Sequence, residues 1–266
     1  MRRAFIAVAA GIACTATVLA GDGERVAIVP HGPVGTCSIA QWKADWPGCG
    51  FEDGVAEGRL AVVKTDRGLA YRVDYAAGEI GPERGGVGWR FPIAAADAVE
   101  LRYTVTFSRD FDWVKGGKLP VLGGGPENVT GGKPATGTNG FSARLMWRAD
   151  GRGEAYVYHM HQPDKYGESM PFPGDFRFPA AAPIGVRMQL AMNTPGHRDG
   201  RLDVWIRLPD APEAHVVSRS DMEWRSTADV AIDAVLFQTF HGGGDRSWAP
   251  RRPCSTVYED IVVSRP

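Results

Sequence analysis

Arg144, Tyr156 and Tyr158 are the residues whose types and spacing first suggest chemistry. From Phe141 to Arg148 apolar and polar residues alternate, so a strand here would turn Phe141, Ala143, Leu145 and Trp147 to one face. Ser142, Arg144, Met146 and Arg148 would take the other. After the turn-forming residues 150–153, a second alternating segment sets Tyr156, Tyr158 and Met160 on one face, with Val157, His159 and His161 opposite. If the two segments pair as a hairpin, a permanent cation and two phenols share a surface, and Lys115 and Lys118 lie close by in sequence. Such a set suits removal of a proton next to a carboxylate. A cation or hydrogen-bond donor stabilises the enolate-like charge, one group takes the C5 proton of a uronate sugar, and another protonates the departing O4. A phenol has an ordinary pKa near ~10, so a tyrosine acting as the base needs Arg144 and Lys118 to favour its phenolate. Tyrosines and arginines on strands also serve as packing and solvated surface, and a basic groove can bind an acidic polymer without chemistry.

Other reaction classes find little support. The chain has no G-x-S-x-G elbow, P-loop, H-E-x-x-H or dinucleotide-binding glycine motif. A retaining glycosidase needs two closely placed carboxylates, and apart from Glu154 the two segments carry almost none. No spaced Asp/Asn motif marks a Ca²⁺ loop, and no cysteine pair has zinc spacing. The elimination requires no cofactor, while loop carboxylates and backbone oxygens are compatible with a structural Ca²⁺.

The elements that must position these groups read as strands. Period-two alternation recurs at 60–65, 70–75, 88–91, 99–107, 141–148, 154–159, 186–190, 202–208, 231–240 and 258–263, separated by Gly, Pro and Asp clusters. Only 39–46 reads as a short helix, and βαβ alternation is missing. The fold class expected is all-β, a jelly-roll sandwich of two antiparallel sheets. The glycine-rich stretch 116–140 is expected to be irregular, a lip over a groove.

The 266 residues, 44% hydrophobic with formal charge −1, suffice for one large core. Arg2 and Arg3 precede an apolar run ending in Val18-Leu19-Ala20, so residues 1–20 are expected to be a signal peptide and 21–266 a single domain, secreted or periplasmic and monomeric. The apolar run is short for a membrane span. Of the remaining Cys37, Cys49 and Cys254, one disulfide and one buried thiol are expected, with the pair open. Asn128-Val129-Thr130 is a glycosylation sequon.

Three blocks carry a family resemblance. Residues 111–120 (FDWVKGGKLP), residues 140–147 with 154–158, and residues 237–243 (FQTFHGG) with Asp245 and Trp248-Ala249-Pro250 resemble the signatures of polysaccharide lyase families 14 and 20. Those families include alginate lyases and glucuronan lyases. The blocks span residues 99–264, and the N-terminal third matches more loosely. The resemblance implies a β-jelly roll that cleaves an acidic polysaccharide, glucuronan or mannuronate-rich alginate, by β-elimination to leave unsaturated uronate ends. It implies that Lys118, Ser142, Arg144, Tyr156 and Tyr158 line the cleft. Lys118, Arg144, Tyr156 and Tyr158 would be catalytic, with the choice of tyrosine open, and Ser142, Lys115 and Arg148 would bind substrate. Nucleic acid and membrane are not expected partners. Departures at Val121, where related sequences carry glycine, and at 134–139 make substrate preference less transferable than reaction type. The competing readings are a noncatalytic module binding acidic glycans and a structural outer-surface protein.

Overall fold

The structure, a computed structural model, describes residues 25–266; the expected signal peptide at 1–20 lies outside them. The strands are β1 (Arg25–Ile28), β2 (Gly35–Thr36), β3 (Leu60–Thr65), β4 (Gly68–Tyr75), β5 (Val87–Ala96), β6 (Ala98–Phe107), β7 (Gly116–Leu119) and β8 (Val121–Gly124). The second half adds β9 (Phe141–Arg148), β10 (Gly153–Tyr158), β11 (Glu168–Pro171), β12 (Pro183–Ala191), β13 (Gly200–Arg207), β14 (Ala214–Met222), β15 (Ile232–His241) and β16 (Cys254–Ser264). Two short helices, α1 (Ile39–Asp45) and α2 (Gly81–Gly85), complete the elements used here.

The strands form two antiparallel sheets, as the alternation predicts. One has nine strands, in the order β14-β13-β12-β6-β16-β4-β3-β2 with β1 on β16. The other has seven, β11-β10-β9-β7-β15-β5, with β8 also lying between β9 and β15. Alternation puts Val99, Leu101, Val105 and Phe107 of β6 and Ala143, Leu145 and Trp147 of β9 into one shared core. Two aromatic groups fill it. Trp46 meets Tyr71, Trp89, Phe91 and Phe237, while Phe107, Phe111, Trp113 and Trp147 pack at the other end. Helix α1 delivers Trp42 and its C-cap Trp46 from one side because they are four residues apart; Ser38 caps it by accepting the Gln41 N–H at 3.2 Å. Asp45 is buried on the same helix and accepts from the Tyr71 hydroxyl at 2.9 Å.

Two expectations are corrected. The stretch 116–140 is not irregular throughout, since β7 and β8 occupy the middle of the seven-stranded sheet. Pro120, which has no N–H to give the ladder, separates them. Glycines hide the alternation there, and they are required. A Cβ on Gly117 would lie 2.1 Å from Trp147 Cζ2 and 2.4 Å from the Phe240 carbonyl oxygen. The expected disulfide is missing too: Cys37, Cys49 and Cys254 are all free. Cys37 bonds to the backbone of Leu60 on β3, whereas Cys254 lies on β16 with β4 between. Three strand spacings are roughly 14 Å, twice the reach of a disulfide. Strands β1, β2, β11 and β14 escaped the sequence reading.

Trp46→Ala would empty the centre of the first aromatic group. We expect a loss of about 3–5 kcal/mol in urea unfolding, and a loss below about 1 kcal/mol would show that the neighbouring rings close the gap.

Candidate active site

The hairpin β9–β10 forms with Tyr156 opposite Arg144 and Tyr158 opposite Ser142. Strand β7 runs on the other side of β9, so Lys118 pairs with Met146, and β15 follows with Phe240 beside Lys118. The outer face of the seven-stranded sheet therefore carries Tyr156, Arg144, Met146 and Lys118 together. They come from three neighbouring strands and not from mobile loops, which fixes their geometry.

Arg144 is 1% exposed, yet no carboxylate among the described residues pairs with it. Its Nη1 donates to Gln238 Oε1 at 2.7 Å and its Nη2 to Asn128 Oδ1 at 3.4 Å. Its Nε is buried without a partner. Burial draws the guanidinium down to about 10, opposed by Tyr158, so it stays charged at neutral pH. Lys118 is half-buried, with Nζ 3.1 Å from Met146 Sδ and 4.4 Å from the centre of the Tyr156 ring. Burial first, then the charges of Arg144 and Arg148, push its ammonium well below the ordinary lysine range, with Glu154 acting weakly against them. Burial and the neighbouring Tyr158 push the Tyr156 hydroxyl above the ordinary phenol range. This reverses the expectation of a cation-stabilised phenolate at that position, because desolvation outweighs the charge of Arg148.

The remaining predicted residues take other places. Tyr158 is 1% exposed, packs against Val129 and Ala135, and accepts the Gly132 N–H at 3.2 Å. Ser142 is fully buried and donates to the Val129 carbonyl at 2.8 Å, so its hydroxyl pins the loop 125–140 and does not face the open surface. Arg148 pairs with Glu154 at 2.8 Å, with its guanidinium 6.0 Å from the Tyr156 ring centre and 5.5 Å from that of Trp248. Lys115 is exposed and donates to Ser247 Oγ at 2.5 Å, beside a hollow lined by Arg246 and Arg252. It is not brought into the row. His159 is buried behind β10 against Glu168, and His161 pairs with Glu223. His241, from the third sequence block, lies in the core, where burial holds it down to about 4.

Gln238, Asn128 and Met146 join the site without having been assigned to it from sequence. Alternation along β15 carried the signal for Gln238, because Phe237 packs in the core and the next residue must face outward. Asn128 offered no such signal, as only the fold of the loop brings it to Arg144. No group of three or more His, Cys, Asp or Glu side chains able to hold a metal occurs among the described residues, and no described helix is long and apolar enough to cross a membrane.

A hollow of about 830 Å³ on the nine-stranded sheet differs in kind. Its Arg102 and Arg187 are already neutralised by Glu100 and Glu213. The row around Arg144 instead holds a cation that no described carboxylate neutralises, an arrangement suited to an anionic ligand.

The fold, a β-sandwich of two antiparallel sheets, is that of the polysaccharide lyases. The chain belongs to polysaccharide lyase family 14, whose model matches residues 64–261. Among solved structures, the marine PL-14 alginate lyase from Aplysia kurodai is similar at TM-score 0.78 and 25% identity, over 91% of this chain and 98% of that one. The alginate lyase Aly36B gives TM-score 0.77 and 25% identity, covering 91% and 96%. The endo-β-1,4-glucuronan lyase from the fungus Trichoderma reesei shares the fold at TM-score 0.55 and 11% identity, covering 88% and 95%. A search of curated protein sequences returns no match.

Ser142→Ala would leave the buried Val129 carbonyl without its donor. We expect a stability loss of about 1–3 kcal/mol and faster amide hydrogen exchange at 128–133. Unchanged exchange there would mean that the loop is held by its other contacts.

Proposed function

We propose that this protein is an exported, monomeric lyase that cleaves mannuronate-rich alginate by β-elimination, leaving an unsaturated uronate at the new end. The observation that carries this reading is Lys118 Nζ standing 4.4 Å from the Tyr156 ring, beside the unneutralised Arg144. Arg144 binds the carboxylate of the sugar at the cleavage point and stabilises the charge that spreads onto it. Lys118, pushed toward its neutral amine, takes the C5 proton. The electron pair forms the C4–C5 double bond, the C4–O4 bond breaks, and Tyr156, pushed toward its protonated phenol, gives its proton to O4. Proton transfer from Lys118 back to Tyr156 resets the site. Tyr158 and Ser142 act through the loop and through Tyr156.

Base and acid lie on one side of the substrate, which matches mannuronate and glucuronate, where the C5 hydrogen and O4 share a side. Guluronate needs groups on opposite faces. The names of the two relatives at 25% identity, both alginate lyases, favour mannuronate over glucuronate. Aly36B has also been solved with an alginate trisaccharide, as a variant in which a lysine and a methionine are replaced by alanine. Those two residues stand as far apart in its sequence as Lys118 and Met146 do here, which supports a place for Met146 against the substrate. Export rests on the signal-like residues 1–20. The reading assigns neutralisation of the carboxylate to Arg144 and calls on no cofactor.

Ultraviolet absorbance of the conjugated product tests the reading. It should rise with polymannuronate, more slowly with glucuronan, and not with polyguluronate. Lys118→Ala and Tyr156→Phe should each lower kcat by about a hundredfold or more, and near-normal turnover in either would remove that residue from proton transfer. In the wild type, kcat/KM should rise with pH through the Lys118 transition, below the ordinary 10.5, and fall only above the ordinary phenol value of 10. A rate that falls as Lys118 loses its proton would contradict its role as base.

A further inference from the structure

The short edge strand β11 brings a group to the back of the tyrosine pair that proton transfer does not use. Gly167 immediately precedes β11, and a Cβ placed on it would lie 3.0 Å from Tyr158 Cδ2 and Cε2 and 3.1 Å from Tyr156 Cε1. Its backbone thus forms the wall against which both rings rest, and its N–H acts on the Tyr156 hydroxyl to favour ionisation. What holds this wall is the next residue. Glu168 pairs with Val157 across the ladder and turns its side chain to the inner face, away from the substrate surface. There Oε2 meets His159 Nε2 at 2.6 Å and Oε1 accepts from Arg219 Nη1 at 3.1 Å. Arg219 belongs to β14 of the other sheet, and is itself fixed by Asp221 at 2.7 and 3.2 Å.

An edge strand paired at only four positions has little of its own to hold it. The carboxylate of Glu168 supplies the restraint, bridging the buried imidazole of His159, the residue after β10, to a cation on the opposite sheet. We propose that Glu168, clamped by His159 and Arg219, is a positioning residue for catalysis: it presses Gly167 against Tyr156 and Tyr158 and so sets where the Tyr156 hydroxyl points. This rests on the reading of Tyr156 as the acid. The clamp also ties the far sheet to the active site, because Arg219 holds β11 through Glu168 and also reaches Met170 Sδ at 3.9 Å.

The test is a double-mutant cycle on polymannuronate, with kcat and KM measured separately. Glu168→Ala should lower kcat about tenfold with KM within about twofold, and Glu168→Gln, which keeps hydrogen bonds but not charge, should fall between it and the wild type. In a Tyr156→Phe background, Glu168→Ala should cost nothing further, because the hydroxyl it positions is gone. Arg219→Gln leaves the β10–β11 ladder intact and should lower kcat in the same direction as Glu168→Gln. Wild-type kcat in the Glu168 variants, or a full additional loss on top of Tyr156→Phe, would overturn the clamp while leaving the acid assignment standing. An active Tyr156→Phe single variant would instead remove the acid assignment and the clamp with it.

Discussion

A buried guanidinium without a counter-charge is the constraint on which the rest of the site depends. Taking a cation out of water is expensive, and proteins ordinarily recover the loss by placing a carboxylate beside it. Here Arg144 has two neutral amide oxygens, from Gln238 and Asn128, and a buried Nε with no partner among the described residues. The amides fix its direction without cancelling its charge. The same unspent charge bears on Lys118, whose ammonium is disfavoured by burial and by Arg144 and Arg148 together. In the proposed reaction a uronate carboxylate supplies the missing anion when the polymer binds. Arg102 and Arg187 of the nine-stranded sheet show the opposite solution, in which Glu100 and Glu213 neutralise both.

Holding such a charge needs a rigid support, and the sandwich provides it. Arg144, Tyr156 and Lys118 stand on β9, β10 and β7, and the inward residues of β9 are locked among the aromatic rings of the core. The glycines of β7 and β8 let that broken central strand pass close over Trp147 and Phe240, which brings Lys118 level with Met146. The loop 125–140 then closes one side, tied by Ser142 to Val129 and by Gly132 to Tyr158. Stability and function meet in the same residues.

Much of this was legible in the sequence, for identifiable reasons. Period-two alternation marks a strand buried on one face, so the β9–β10 hairpin, its core face and its polar face could be read from residue order alone. The faces of Arg144, Tyr156 and Tyr158 followed. What alternation cannot give is distance across the chain. Gln238 and Asn128 reach Arg144 over long sequence separations, and Ser142 and Tyr158 are covered by a loop whose path depends on positive-φ glycines such as Gly132 and Gly140. Charge state was the least accessible. Cations near a phenol suggest a phenolate, but burial dominates at Tyr156, and it dominates again at Lys118, reversing the division of roles that residue types alone favour.

The most direct measurement is a nitrogen-15 NMR titration of Lys118 Nζ, assigned by its loss in Lys118→Arg, in the free protein and in an Arg144→Met variant. The account predicts a titration below the ordinary 10.5 in the wild type and a shift upward when the neighbouring guanidinium is removed. Titration of Lys118 at its ordinary value in both proteins would contradict the central claim that an unneutralised Arg144 prepares the lysine for proton abstraction.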